Sequence, residues 1–530
     1  MTASPDPRPT ARRAGVTIPL FAIRTAHDWG IGDIDALPAC AGWIRSAGHR
    51  LLQILPPYEL AEGETSPYGA RTAFGIDPIY ISIDSVPDLQ TRDIAEALGE
   101  EGAATLERLR RAPRVEYHTV RALKRRVLAR AFEQYVEREW ARGTARAHAL
   151  RAFVKQEEYW APDLALYVAL RERHHGYGWT TWPSPERDRA TEVIARARST
   201  ADGAAVDELG RAVLRHQYLQ WLAHEQWDRA RAGMREVGVE LMGDLPFVVG
   251  EESADVWARP NQFLRDVSLG APPDDFSREG QEWGLPAYNW PAMDADDLGW
   301  VRARTRHAAR LYDRFRLDHA VGYFRMWVKP HGGAGRFEPG VESAQLDRGT
   351  RVLGAMLAEA AGAVHVVAED LGLIPPWVRT ALVQLGIPGY RVIPWEREAQ
   401  RGFRDPRAFP ALSVASLSTH DTKPITAWWE DFSAAQRRQL AALAGVDAAA
   451  NPAERSLGLL SLLLRAGSGL TLALPQEILG TAERINTPGT ITEANWTYRL
   501  PQPLENLATD SAVRARLEAI RALANNTTRD

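Results

Sequence analysis

The sequence predicts a (β/α)8 barrel carrying a mainly helical insertion subdomain and a loop-rich lid insertion. Three observations carry this expectation. Eight short apolar runs, at 16–23, 51–55, 239–243, 314–318, 364–368, 390–394, 412–417 and 470–475, read as strands buried on both faces. Most are separated by stretches of helical periodicity, the order that builds a parallel sheet closed into a barrel. Three acidic motifs fall at or just beyond the ends of these runs, at Asp318, Glu369 and Asp421, spaced 51 and 52 residues apart. Barrels of this kind gather their reactive groups at the C-terminal strand ends.

Residues 1–13, rich in Pro, Thr and Arg, are expected to form a disordered tail, and 14–530 one catalytic barrel. The first strand is assigned to the run containing Val16-Thr17-Ile18-Pro19-Leu20-Phe21. Arg12-Arg13 ahead of it imitate the start of an export signal. The apolar run is too short for one, is broken by Pro19 and closed by Arg24, and has no small-residue cleavage site after it. The second strand is followed by a connection of about 180 residues. Within it, 85–238 is expected to be a mainly helical insertion. Its central part, 120–227, repeats Leu, Val, Tyr and Trp at three- and four-residue spacing against faces of Arg, Glu and Ala. The stretch 244–300 is rich in Gly, Pro, Asp and Trp and is expected to be an irregular lid; long irregular segments inside compact enzymes are often functional.

Composition narrows the function classes. A formal net charge of −4 and a pI near 6.4 supply no general attraction for nucleic acid or anionic membrane. No apolar run approaches the roughly 18 residues of a membrane span. Cys40 is the only cysteine, so neither an intramolecular disulfide nor a multi-thiolate metal site can form. The expected setting is therefore reducing and cytoplasmic; no metal and no organic cofactor is expected, because two carboxylates suffice for the chemistry that the acidic motifs point to.

The acidic motifs point to sugar chemistry. In Phe315-Arg316-Leu317-Asp318-His319, strand residues two apart share a face, so Arg316 and Asp318 emerge side by side. A guanidinium there keeps Asp318 oriented and ionised, as a carboxylate nucleophile requires. Glu369 closes the run His365-Val366-Val367-Ala368 and is the candidate acid; Asp370 points the other way and is expected to cap the following turn. In Ser418-Thr419-His420-Asp421-Thr422, a carboxylate and an imidazole both reach sugar hydroxyls. Two carboxylates flanking a glycosidic bond suffice for a retaining displacement, in which Asp318 attacks the anomeric carbon while Glu369 protonates the departing oxygen.

These motifs, with Gly30-Ile31-Gly32-Asp33, Gln53-Ile54-Leu55-Pro56, Ser66-Pro67-Tyr68, Gly243-Asp244-Leu245-Pro246, Ser253-Ala254-Asp255-Val256-Trp257 and Asn495-Trp496, resemble the 4-alpha-glucanotransferases, the amylomaltase or disproportionating-enzyme family related to the alpha-amylase clan. The resemblance runs from about Gly30 to Arg499. It implies transfer of alpha-1,4-glucan segments between maltooligosaccharide or starch-like chains, with Asp318 as nucleophile, Glu369 as acid/base and Asp421 as transition-state stabiliser. It also implies that Tyr68 stacks on the reacting glucose and that Asp244, Arg316, His420 and Asn495 line its site. Residues 272–290 resemble a mobile loop over the glucan, with Phe276 and Trp283 against the chain. Asp275 stands where many members carry an aromatic residue, and a less complete cover would favour water over an acceptor sugar. An amylase-like alpha-1,4-glucan hydrolase on the same barrel is thus the alternative reading. A catalytically silent glucan-binding scaffold would not need all three carboxylates.

Overall fold

A computed structural model describes residues 12–195, 207–273, 280–330, 332–360, 362, 364–398 and 402–529. Eight parallel strands close into a barrel: β1 (Arg13–Thr17), β2 (Leu51–Gln53), β3 (Glu240–Leu245), β4 (Arg314–Leu317), β5 (His365–Ala368), β6 (Gly389–Val392), β7 (Ser413–Ser416) and β8 (Leu470–Ala473). Each strand pairs with its neighbours in sequence, and β8 closes on β1 through Arg13↔Leu470 and Val16↔Ala473. Seven of the eight apolar runs coincide with strands to within a few residues. The first is displaced: β1 begins at Arg13, and residues 20–22 form a 3-10 turn instead of more strand. Pro19 has no N–H to give a ladder, so pairing ends before it. The expected tail is corrected at its inner edge, because Arg13 is already paired. Residues 1–11 lie outside the described residues.

The period of two along a strand sorts the barrel into layers. Leu51, Met242, Val367, Tyr390, Val414, Leu470 and Leu472 form a buried apolar cluster of their own inside the barrel. Their strand neighbours, such as Leu52, Leu241, Phe315, Val366 and Ala415, belong to the larger core between the barrel wall and the surrounding helices. Two residues beyond the inner apolar positions stand Gln53, Asp244, Glu369 and Ser416. The apolar plug thus gives way to a polar layer at the barrel's C-terminal mouth.

The connection between β2 and β3 holds helices α1 to α5 of the insertion region, at Thr91–Arg111, Tyr117–Tyr135, Ala145–Gln156, Ala161–Arg173 and, thirty residues long, Glu208–Val237. The last of these, α5, starts on Asp207, whose side chain accepts from the Gly210 N–H. It stops at Gly238, whose φ of +76° is the left-handed conformation that lets the chain turn into β3. After β3, the stretch expected to be irregular contributes strands to a small antiparallel sheet. Its order is 336–338, 326–330, 267–271, 281–282, so it joins the loop after β3 to the loop after β4. These strands are two to five residues long and pair with a distant segment, which no local pattern announces.

Candidate active site

At the mouth of the barrel one arginine gathers three carboxylates. Arg316 Nη1 donates to both oxygens of Asp244, at 2.7 and 2.6 Å, and to Asp318 Oδ1 at 3.0 Å; Nη2 donates to Glu369 Oε2 at 2.9 Å. The register of β3, β4 and β5 explains the convergence: Asp244 lies opposite Arg316 across one strand pair, and Val367 lies opposite it across the other. Asp244 is completely buried, and its carboxyl is pushed above the usual range by burial, against which the Arg316 charge works. Asp318 is shifted in the same direction, by burial first and then by the nearby Glu369 charge, with Arg316 opposing. Arg316 engages Asp318 through Oδ1.

Glu369 is held from two sides, by Arg316 and by the backbone N–H of His319 at 2.9 Å. Both bonds fall on Oε2. His319 reaches this position with φ +46°, a conformation costing a non-glycine residue about 1 kcal/mol or more. Its ring is wedged edge-on between Trp283 and Phe247, with centroids 5.0 and 5.5 Å away.

A second chain of contacts enters from the opposite wall. The Tyr68 hydroxyl donates to Asp244 Oδ2 at 2.9 Å and lies 3.0 Å from His420 Nε2. The Tyr68 ring stacks on His420 and leans on Trp496. Burial, reinforced by the Asp244 charge, pushes the Tyr68 hydroxyl well above its ordinary value, so it stays a neutral donor. His420 Nε2 also stands 3.1 Å from Asp421 Oδ2, and Asn486 Nδ2 donates to Asp421 Oδ1 at 2.6 Å. Burial acts to raise the Asp421 carboxyl, but the His420 charge and the hydrogen bonds from His420 and Asn486 outweigh it and bring it down to about 2. The opposite shift occurs in His420: burial lowers it, and Asp421 more than restores it. Asp421 is thus held as an anion, and the pairing favours the protonated form of the His420 ring.

The site therefore unites Asp318, Glu369, Asp244, Arg316, Tyr68, His420 and Asp421. Trp283 is at its edge, through His319. The Asn495 amide accepts from the Thr487 N–H and donates to the Thr487 and Thr490 carbonyls, so it shapes the 487–490 loop. Phe276 and Asp275 lie outside the described residues. Asp370 is placed differently from expectation. It accepts from the Tyr390 N–H and from Arg379 and Arg391, tying the loop after β5 to β6, and Gly389 leaves the room its carboxyl needs. Sequence reading missed Asn486 and His319. Asn486 sits in a polar loop after β8 with no flanking acid, and the contribution of His319 is a backbone N–H, which side-chain motifs do not reveal.

Beneath the His420–Asp421 turn lies Glu477, fully buried. It accepts from the Ser418 hydroxyl and, at 2.9 Å, from the Leu474 N–H, joining the loops after β7 and β8. Burial raises its carboxyl from 4.5 to about 7. Between these two values the folded state holds a proton that the unfolded chain has released. This contribution, on the order of 3 kcal/mol, is complete below the unfolded value and is lost as pH rises through about 7. Glu477→Gln keeps the shape and a hydrogen bond to Ser418. It is expected to flatten the pH dependence of urea-unfolding stability between about pH 5 and about pH 8. A slope as steep as the parent's would exclude Glu477 as its source.

Strands, mouth and clustered carboxylates together define a class: a (β/α)8 enzyme whose acidic groups meet on one guanidinium at the C-terminal strand ends, an arrangement suited to glycosidic bonds. Residues 18–505 match the family model described as 4-alpha-glucanotransferase. The chain belongs to the 4-alpha-glucanotransferase family. It is 31% identical over 525 residues to the 4-alpha-glucanotransferase of Chlamydia pneumoniae, covering 96% of this chain and 95% of the relative. The Aquifex aeolicus 4-alpha-glucanotransferase is 30% identical over 502 residues, with 93% and 96% covered. In fold, the chain is similar to the amylomaltase of Streptococcus agalactiae, solved in complex with acarbose, with a TM-score of 0.81 at 23% identity over 97% of this chain and 99% of that one.

Proposed function

We propose that this 4-alpha-glucanotransferase moves alpha-1,4-glucan segments between maltooligosaccharide or starch-like chains by two displacements at one anomeric carbon. The observation that carries this reading is the single Arg316 guanidinium shared by Asp318 and Glu369. It holds Asp318 and Glu369 side by side just past the ends of adjacent strands, as a nucleophile and an acid need to stand. In the first step Asp318 forms a bond to the anomeric carbon as the bond to the departing glycosidic oxygen breaks. Glu369 gives that oxygen its proton, and the shortened glucan leaves. In the second step the 4-hydroxyl of an acceptor sugar loses its proton to Glu369 and displaces Asp318, which restores both carboxyls.

The remaining groups act on the sugar ring. Asp421, anionic and clamped by His420 and Asn486, faces the positive charge that develops at the anomeric carbon. Tyr68 offers a ring face to the apolar side of the pyranose, and Asp244 and His420 receive its hydroxyls. The partition into a barrel with a helical insertion at 85–238 and a lid insertion at 244–300, Trp283 included, belongs to the same reading: the insertions wall the mouth and exclude water. Glucans are both donor and acceptor, with no role for nucleic acid or membrane. The lone Cys40, buried, suits a reducing cytoplasm.

Incubation of the pure enzyme with maltotriose tests the reading. The expected products are glucose and a ladder of longer maltooligosaccharides, at nearly constant total reducing ends. Steadily rising reducing ends with only glucose and maltose would identify a hydrolase.

A further inference from the structure

The loop after β6 carries a large aromatic side chain that the catalytic steps do not use. Trp395 is 47% exposed, although it is held close to β6 by its own N–H, which donates to the Val392 carbonyl at 2.8 Å. It lines a cavity of about 120 Å³ together with Glu369, Asp421, Leu371 and Tyr390. Its back is supported. The Trp428 ring meets it edge-on with centroids 5.9 Å apart, Trp428 stacks on Phe432 at 6.1 Å, and Phe432 meets Phe403 at 5.6 Å. Phe432 and Phe403 are buried. An indole anchored by a row of rings, yet open at the wall of the reactive cleft, is a preformed apolar surface in search of a partner. The neighbouring loop after β5 adds Leu373, 68% exposed.

Relative to Glu369, just past the end of β5, Trp283 approaches from the side of β4, through His319, while Trp395 approaches from the side of β6. A glucan that passes Glu369 therefore meets aromatic surface on both sides. A pyranose has one face of C–H groups, and an indole buttressed from behind takes such a face with little loss of side-chain freedom.

We propose that Trp395, positioned by Trp428, is a stacking platform for a glucose unit of the bound alpha-glucan beyond the one whose bond reacts. This rests on the transfer reading above and adds a specificity-determining residue to it. The platform contributes affinity for a neighbouring ring, not chemistry at the anomeric carbon. Its loss raises KM more than it lowers kcat.

The test compares the parent enzyme with Trp395→Ala, Trp395→Leu and Trp395→Phe in two assays. One varies maltoheptaose as donor at saturating glucose; the other varies glucose or maltose as acceptor at saturating maltoheptaose. Trp395→Ala and Trp395→Leu are expected to raise one of the two KM values about tenfold with kcat within about twofold, and Trp395→Phe to restore most of the loss. A rise confined to the donor places the ring on the donor side, and a rise confined to the acceptor places it on the acceptor side. Unchanged KM values in both assays overturn the proposal, as does a Trp395→Leu variant equal to Trp395→Phe, which would make bulk the active property. If the parent itself fails to transfer, the reading of function fails, and that is seen before any variant is measured. A thermal melt on each variant identifies misfolding, and the Phe variant keeps the comparison alive if Ala unfolds.

Discussion

Replacing Asp318 with Asn is expected to lower kcat on maltotriose by about 10⁴-fold or more while leaving the fold intact. An amide cannot form the glycosyl ester, so the first displacement loses its nucleophile. The rest of the site is expected to hold. Asn accepts the Arg316 hydrogen bond through its carbonyl oxygen as Asp318 Oδ1 does. Burial and the Glu369 charge already act against ionisation of Asp318. A neutral group there relieves repulsion among carboxyls that share one cation, so the melting temperature should be equal to the parent's or higher. Two measurements decide it. Activity within about tenfold of the parent would remove Asp318 from the nucleophile's place. A melting temperature several degrees lower would show that the negative charge is needed for stability, contrary to the burial argument.

Much of this arrangement was legible because a strand's period is simple. The two-residue step from Arg316 to Asp318 put both on one face, and the 3.0 Å contact between them follows. Runs of apolar residues located seven strands closely because parallel strands buried on both faces leave a continuous signature. The first run misled because Leu20, Phe21 and Ala22 are apolar for packing, not for pairing, and Pro19 had already ended the ladder. What local pattern does not encode is contact over distance. The Tyr68 hydroxyl meets His420 across 352 residues of chain, and Asn486 meets Asp421 across 65. The resemblance supplied Tyr68 and Asp244, yet their shared hydrogen bond emerges only once β3 and the loop after β2 are placed together. It also supplied Asn495, whose amide bonds to the Thr487 and Thr490 carbonyls of its own loop. Polar loop residues are the hardest to assign from sequence, since the same amide can bind a ligand or close a turn.

The shared guanidinium makes Arg316 the residue whose loss reaches furthest. Arg316→Met keeps most of the side-chain volume and removes the charge. Asp244, with no solvent exposure, then keeps its bond from the Tyr68 hydroxyl but loses both from Arg316, and Asp318 and Glu369 lose the bond that holds them together. Breaking a buried ion pair from one side costs about 3–5 kcal/mol, because a charge is left without compensation. The deficit has a definite pH signature. Burial already raises Asp244 and Asp318, with Arg316 opposing in both, so removing Arg316 drives both further up. A carboxyl with a raised folded value has its full stabilising share below the unfolded value and loses it as pH rises through the folded one. The variant's urea-unfolding deficit should therefore shrink at about pH 5 and widen at about pH 8. An equal deficit at both would assign the loss to packing instead of charge. Arg316→Lys separates charge from geometry. An ammonium is a point charge and cannot span the separate directions that Nη1 and Nη2 serve. Lys should therefore recover most of the stability but leave kcat about 10²-fold or more below the parent, since Asp318 and Glu369 are no longer held in register by one rigid plane.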